Sequence, residues 1–403
     1  MNVLFLTIGQ IDGIENKGIY TDLLRQFRNN SDEVYTVSAY EKRKGLETTL
    51  TEDNGAHMLH VKIGNITKCN IIEKGISTVL IESQFIKAIK KYYKDIKFDL
   101  VIYSTPPITF VNAVKYVKKR DGAKTYLLLK DIFPQNAVDL GMMKKSGVKG
   151  LLYKYFRNKE KKLYAVSDKI GCMSQANADY VLKHNPEISA EKVEICPNSI
   201  KVTNERLSPE QKAETRQKFN IPIDKTVFIY GGNLGRPQDI PFIIECLKAN
   251  ADFDDRFFVI CGTGTEYPKL KNYIDAEKPA NVLLINGLPK NEYESFVGCC
   301  DIGLIFLDHR FTIPNFPSRL LSYMQKGMPV LACTDPNTDI GKVITDGNFG
   351  WWCESNLIQN FSDTVKEAIN SNIKTLGENA FKYLNENYTA EKTYEIIKKW
   401  VNE

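Results

Sequence analysis

Short apolar runs alternate with amphipathic stretches along the whole chain. "NVLFLTI" (2–8), "EVYTVS" (33–38), "HMLHVKI" (57–63), "DLVIYS" (99–104), "KTYLLLK" (124–130), "KIGCMS" (169–174) and "VEICPN" (193–198) have strand length and strand composition. Between them, "YTDLLRQFRN" (20–29), "IESQFIKAIKKYYKD" (81–95) and "TFVNAVKYVKKR" (109–120) carry the helical period. A glycine-bearing loop through Gly9, Gly13 and Gly18 follows the first strand. Continuous apolar strands separated by helices predict a parallel sheet covered on both faces.

The pattern then restarts. A polar stretch over 195–225, "ICPNSIKVTNERLSPEQKAETRQKFNIPIDK", precedes strands at "TVFIYG" (226–231), "RFFVICG" (256–262), "NVLLING" (281–287), "IGLIFL" (302–307) and "MPVLAC" (328–333). Helices are predicted after the turn Gly231–Gly235 and at 266–277, 291–299, 317–327 and 388–403. The expected architecture is α/β, with two doubly wound Rossmann-like domains facing across a cleft. The predicted boundaries are 1–200, 201–385 and a terminal helix over 386–403. Ligands in such sheets sit at the carboxyl ends of the strands.

Composition narrows this picture only slightly. The 403 residues exceed one ordinary core and suit two domains. A formal charge of +5 is mild and gives no call for nucleic acid. The nine cysteines sit mostly in apolar runs and form no C-x-x-C pair, so they read as reduced small hydrophobes of a cytoplasmic protein. The start "MNVLFLTIGQID" reads as a buried strand and not a signal peptide, and no run of about 18 apolar residues occurs.

Two stretches carry candidate chemistry. In "FIYGGNLGRPQDIPFIIECLK" (228–248), Gly231, Gly232 and Gly235 let backbone approach a ligand, and a following helix offers unpaired N–H groups and a positive dipole end. Arg236 adds a forked cation suited to phosphate. The plainer reading is a tight strand–helix turn. In "FTIPNFPSRLLSYMQKGMPVLA" (311–332), Pro317 and Ser318 mark a helix start with Arg319 in its first turn. A cation there opposes the dipole, which points to an anion in front of it, although an exposed surface arginine is the plainer reading. Together the two starts fit a diphosphate. The loops "VICGTGTEYPKLK", with Gly262, and "LLINGLPKNEYESF", with Gly287, Leu288 and Pro289, fit the lining of a base pocket.

The ordered set of motifs resembles the retaining glycosyltransferases of family 4, which have the GT-B fold, and the likeness covers nearly the whole chain. "YGGNLGRPQDI" resembles the family's nucleotide-sugar loop, "NFPSRLLSYMQKGMPVLA" its donor helix and following strand, and "ICPNSIKV" its hinge, with Ser199 where Gly is usual. "LLLKDIFPQNAVDLGMM" resembles a segment of the subgroup that builds bacterial capsule and O-antigen saccharides. The resemblance implies transfer of a sugar, with retention, from a nucleoside diphosphate sugar to a saccharide or polyprenyl-diphosphate-linked acceptor, with a UDP-sugar as the expected donor. It places Gly232, Asn233, Arg236, Ser318 and Arg319 at the diphosphate, and extends the donor-binding set to Gly13, Leu234, Gly235, Gly262, Leu288, His309, Pro314, Asn315, Phe316, Pro317 and Ser322. Pro314 and Ser322 stand where many members carry glutamates, and Asn233 and Gln238 where many carry an arginine and a lysine.

Asp131 follows a predicted strand in the first domain and is the candidate proton acceptor, alongside a structural reading as an N-cap before Pro134. Arg236, Arg319 and Asp131 form the expected catalytic set. His57 and His60 read as structural and His184 as a loop residue. His309, after a strand in the second domain, is a candidate sugar contact. "DFDD" (252–255) reads as a solvated turn, so neither a metal nor a cofactor beyond the sugar nucleotide is expected. "KKSGVKGLLYKYFRNKEKKLY" (144–164), which includes Lys144, Lys145 and Lys149, is a basic amphipathic stretch. It reads either as a solvated helix face or as a peripheral contact with an anionic membrane, on the inner face of the plasma membrane. A GT-B-fold sugar-nucleotide epimerase and a non-catalytic nucleotide-binding module are the rival readings.

Overall fold

The protein is described here by a computed structural model covering residues 1–403, apart from the side chains at positions 71, 72, 148, 149, 290 and 291. Lys149 of the basic stretch therefore lies outside the described residues. The chain divides into two units, Met1–Lys201 with Thr389–Glu403, and Val202–Tyr388.

The first unit contains strands β1 (Asn2–Leu6), β2 (Glu33–Glu41), β3 (Thr49–Asp53), β4 (Ala56–Ile63), β5 (Leu100–Ser104), β6 (Lys124–Leu129), β7 (Lys169–Cys172) and β8 (Val193–Ile195). Its helices are α1 (Ile19–Asn29), α2 (Ile71–Tyr92), α3 (Val111–Asp121), α4 (Gln135–Asp139), α5 (Gly147–Val166) and α6 (Gln175–His184). The sheet order is β3-β4-β2-β1-β5-β6-β7-β8. Every pairing is parallel except β3 with β4. All five residues of β5 are buried, as a strand covered on both faces requires.

The second unit contains α7 (Pro209–Lys218), β9 (Thr226–Asn233), α8 (Ile240–Ala249), β10 (Arg256–Thr263), α9 (Tyr267–Glu277), β11 (Val282–Ile285), α10 (Lys290–Gly298) and β12 (Ile302–Phe306). It continues with α11 (Arg319–Gln325), β13 (Val330–Thr334), α12 (Ile340–Asp346), β14 (Gly350–Glu354), α13 (Ile358–Ile369) and α14 (Ile373–Asn387). Its all-parallel sheet runs β11-β10-β9-β12-β13-β14, so β9 and β12 lie at its centre. The last helix, α15 (Ala390–Asn402), belongs to the first unit. It packs on α1, with Tyr394 edge-on to Phe27 at 4.9 Å, and Trp400 lies 5.5 Å from Tyr126.

Several elements depart from the sequence expectation. β3 was not expected because its "TLTED" is exposed and polar. The Asn54-Gly55 turn, both residues at positive φ, folds it onto β4 as a hairpin. α2 begins ten residues before the predicted start, where the Asn70 side chain accepts from Glu73 N at 2.9 Å. α7 lies inside the stretch taken for a polar connection; Ser208 and Gln211 cap it reciprocally and Pro209 opens it. His184 ends α6 and is not in a loop. β14 and α12 to α14 complete the second unit without having been foreseen.

Two glycines set how closely β9 and β10 approach. Gly232 and Gly262 are register partners, and a Cβ on Gly262 would lie 1.9 Å from the Gly232 carbonyl oxygen. Backbone cannot yield as a flexible side chain would. Gly262→Ala is expected to destabilise the second unit by about 1–3 kcal/mol. In thermal unfolding this appears as a Tm lowered by about 3–10 °C; an unchanged Tm would mean that the two strands are free to separate there.

Candidate functional site

β9 leaves the sheet centre through Tyr230, Gly231, Gly232 and Asn233. The phenol of Tyr323, on α11, accepts from Gly231 N at 3.1 Å and faces the carbonyls of Ile229 and Leu304 at 3.2 and 3.1 Å. This buried hydroxyl ties α11 to the ends of two adjacent strands. Gly232 follows at φ 130°, which a residue with a side chain rarely adopts.

Arg319 opens α11 and its side chain turns back over this turn. Its guanidinium carbon lies 4.3 Å from the Tyr230 ring centroid, and Nη1 donates to Gly231 O at 3.0 Å. A Cβ at Gly232 would sit 3.4 Å from the guanidinium carbon, so the bare backbone leaves that face of the cation open. Among the described residues no carboxylate pairs with Arg319. A guanidinium has five N–H donors, and a partly buried one without a counter-charge is costly unless an anion completes it. The Tyr293 hydroxyl closes the other side, where a Cβ on Gly231 would come within 1.8 Å of it. Burial pushes the phenols of Tyr293, Tyr323 and Tyr230 above their ordinary range, so all three are neutral hydrogen-bonding groups at neutral pH.

The loop differs from expectation in one respect. The Gly235 N–H is not free, because Gln238 Oε1 accepts from it at 3.1 Å and from Asn233 Nδ2 at 3.3 Å. Arg236–Gln238 is a single tight turn, and α8 begins only after Asp239, which sits at φ 50°. The α8 dipole thus starts further along than the motif suggests. Arg236 is exposed and, among the described residues, has no polar partner.

The remaining predicted residues divide between lining and core. Leu234 is buried in the main apolar cluster, and Pro314 and Phe316 are buried. Pro317 and Leu288 are half-buried and Ser318 is exposed. The Asn315 amide nitrogen and the Ser322 hydroxyl, one turn beyond Arg319, are buried without a hydrogen-bond partner among the described residues. Gly13 belongs to the first unit, where a Cβ would meet the Asp53 carboxylate at 3.1 Å. His309 is exposed, three residues past β12. Asp239, Asp308 and His309 bring ligand atoms within 4.8 Å of one another, a set the sequence reading overlooked in favour of 252–255. Both oxygens of buried Asp308 are engaged by Arg310 Nε, at 2.9 and 3.1 Å.

In the first unit, Asp131 follows β6. It is not a helix cap: α4 is preceded by Pro134, and Asn136 Nδ2 donates to both Asp131 oxygens at 2.9 Å. Burial pushes its carboxyl up to about 6, against the lowering effect of those bonds. Its neighbour Lys130 was missed by the sequence reading, since nothing in "LLLKD" distinguishes a half-buried lysine from a solvated one. Its ammonium reaches Cys196 O at 3.4 Å and, among the described residues, pairs with no carboxylate; burial lowers its pKa.

Residues 211–383 match the family Glycosyl transferases group 1. A probable glycosyltransferase of Pseudomonas aeruginosa, WbjE, is 22% identical over 333 residues, 81% of this chain and 80% of that protein. The solved structure of sucrose-phosphate synthase from Thermosynechococcus elongatus superposes with a TM-score of 0.74 at 11% identity, covering 100% of this chain and 98% of that one. Anabaena HepE, solved with UDP and glucose, gives 0.71 at 13% identity, covering 100% and 99%. These likenesses establish the GT-B fold.

Asp131 generates a pH test. A carboxyl raised from 3.8 to about 6 contributes stability fully present below about pH 4 and lost as pH rises through about 6. Carbon-13 NMR of the labelled Asp131 carboxyl is expected to titrate near 6; a midpoint near 4 would show a solvated carboxylate.

Proposed function

We propose that the protein transfers a glycosyl group from a nucleoside diphosphate sugar to an acceptor hydroxyl, with retention at the anomeric carbon. The observation that carries this reading is the carboxylate-free guanidinium of Arg319, stacked on Tyr230 beside the bare backbone of Gly232. It suits an anion, and the family match over 211–383 supports a sugar diphosphate as that anion. The structural neighbour solved with UDP and glucose supports a UDP-sugar. The donor sugar is a hexosyl or N-acetylhexosaminyl group.

In the reaction the anomeric carbon–phosphate oxygen bond breaks and its electron pair stays on the diphosphate. The acceptor oxygen bonds to the anomeric carbon and releases its proton. Arg319 and Arg236 stabilise the growing negative charge of the leaving group, a contribution fixed before reaction begins. Asp131, with its raised pKa, is the group assigned to take the proton or hold an acceptor hydroxyl. The two guanidinium groups supply the positive charge at the diphosphate, so the reaction needs no metal and continues with a chelator present.

The acceptor is a saccharide or a polyprenyl-diphosphate-linked saccharide in bacterial surface polysaccharide synthesis, a reading supported by the resemblance of the "KDIFPQ" segment to the capsule and O-antigen subgroup. The basic stretch 144–164 supports a peripheral station on the inner face of the plasma membrane.

Arg319→Ala tests the reading. Calorimetry is expected to show UDP binding weakened at least about tenfold, and turnover of a UDP-sugar to fall by about 10²–10³-fold. Arg319→Lys is expected to restore part of the binding and little of the rate, because a point charge lacks the fork. Undiminished transfer by a folded Arg319→Ala protein would remove the residue from this role.

A further inference from the structure

We infer that the first halves of α2 and α5 together form a docking surface for an anionic lipid bilayer. The inference rests on the peripheral station proposed above and extends it from one basic stretch to a defined two-helix surface.

The three helices α2, α3 and α5 lie side by side, and α3 begins deeper than its neighbours. At its first turn, Asn112 Nδ2 donates to Glu82 of α2 at 2.6 Å, and Lys159 of α5 lies 3.6 Å from the same carboxylate. That level marks the start of α3. α2 begins eleven residues earlier, at Ile71, and α5 twelve residues earlier than Lys159, at Gly147. Each therefore overshoots α3 by about 16–18 Å at about 1.5 Å per residue. Both overhangs project from the carboxyl ends of the strands, the end that carries Asp131.

The overhangs are where this unit exposes its apolar side chains. Ile76, Val79 and Leu80 on α2 and Leu151, Leu152 and Tyr155 on α5 are six of the fourteen large exposed apolar residues among the described residues. Ile76 and Leu151 are 59% and 66% exposed. Scattered exposed leucines need no explanation, but six on the overhangs of two helices that the Lys159–Glu82 ion pair joins at their base make a patch. On α2, Ile76, Val79 and Leu80 keep the i, i+3, i+4 spacing of one stripe, continued by exposed Ser83 and Lys87.

Charge selects the occupant. Residues 144–162 contain eight basic residues (Lys144, Lys145, Lys149, Lys154, Arg157, Lys159, Lys161, Lys162) and one acid, Glu160. That is a net +7 on a chain whose total is +5. Glu160 is buried and held by Arg157 at 2.6 Å, Lys159 pairs with Glu82 and Lys161 with Glu187 at 3.0 Å, and the exposed Lys144, Lys145, Lys154 and Lys162 leave the surface charge basic. A second copy of this chain would meet its own lysines. A nucleic acid would leave the apolar centre unused. Apolar side chains inside a basic rim match a bilayer whose headgroups are anionic and whose interior takes leucine and isoleucine.

Sedimentation with vesicles of equimolar phosphatidylglycerol and phosphatidylcholine tests this, using the full chain. Three proteins are compared: wild type, Ile76→Ser/Val79→Ser/Leu80→Ser, and Leu151→Ser/Leu152→Ser/Tyr155→Ser. The altered residues are exposed, so Tm should be unchanged. Wild type is expected to sediment with anionic vesicles and remain in solution with pure phosphatidylcholine. Each triple variant is expected to lose at least about tenfold in partitioning. If wild type fails to sediment, the peripheral station itself falls. If wild type sediments and the α2 variant sediments equally, the two-helix surface falls while the station stands. Concentration-dependent dimerisation abolished by either variant, with no vesicle binding, would assign the patch to a protein partner and overturn the inference.

Discussion

A guanidinium held over a tyrosine ring, with no carboxylate among the described residues to neutralise it, is the constraint on which the proposed site of the second unit depends. Among the described residues, Arg319 has one backbone carbonyl and one aromatic face as partners. Those partners position the cation without satisfying it, since a ring quadrupole and a single acceptor leave most of its donors unused. Protein interiors rarely keep a cation this way. The arrangement is economical only if an anion completes it, and this requirement links the fold to the proposed chemistry.

The surrounding structure keeps that face open. Parallel strands bring β9, β10 and β12 to a common edge, and glycines there replace side chains with backbone. The Tyr323 hydroxyl locks α11 to the strand ends, so the first residue of that helix is fixed relative to Gly231. Gln238 fastens the following turn to itself by taking the Gly235 amide. The result is a small preorganised patch in which the guanidinium, the Gly232 backbone and the exposed Arg236 remain for a ligand. In the first unit Asp131 supplies a different kind of preparation: burial, with a smaller push from the Glu160 carboxylate, makes a carboxyl that can exchange a proton near neutral pH.

The central strands were readable in advance because a parallel strand buried on both faces must be apolar throughout. β3 was not, since an exposed edge strand of "TLTED" carries no hydrophobic signal, and only its Asn54-Gly55 turn announces it. The early start of α2 escaped notice because, among its described residues before the predicted start, Ile76, Val79 and Leu80 are exposed and mark no buried stripe. Gly232 and Arg319 were picked out separately from a glycine turn and a helix start, and the structure brings them to within van der Waals reach. What no pattern announced were the through-space relations: the Gln238 side chain closing its own loop, the Arg310 clasp on Asp308, and the reach of the Lys130 ammonium to the Cys196 carbonyl. Each depends on where a long side chain folds back, which sequence spacing does not encode.

The most direct test of the central claim is a crystal structure of the UDP complex. The account predicts diphosphate oxygens within hydrogen-bond distance of the Arg319 guanidinium and the Gly232 backbone, with the cation still stacked on Tyr230. Diphosphate density away from β9 and α11, with Arg319 keeping only its Gly231 and Tyr230 contacts, would contradict it.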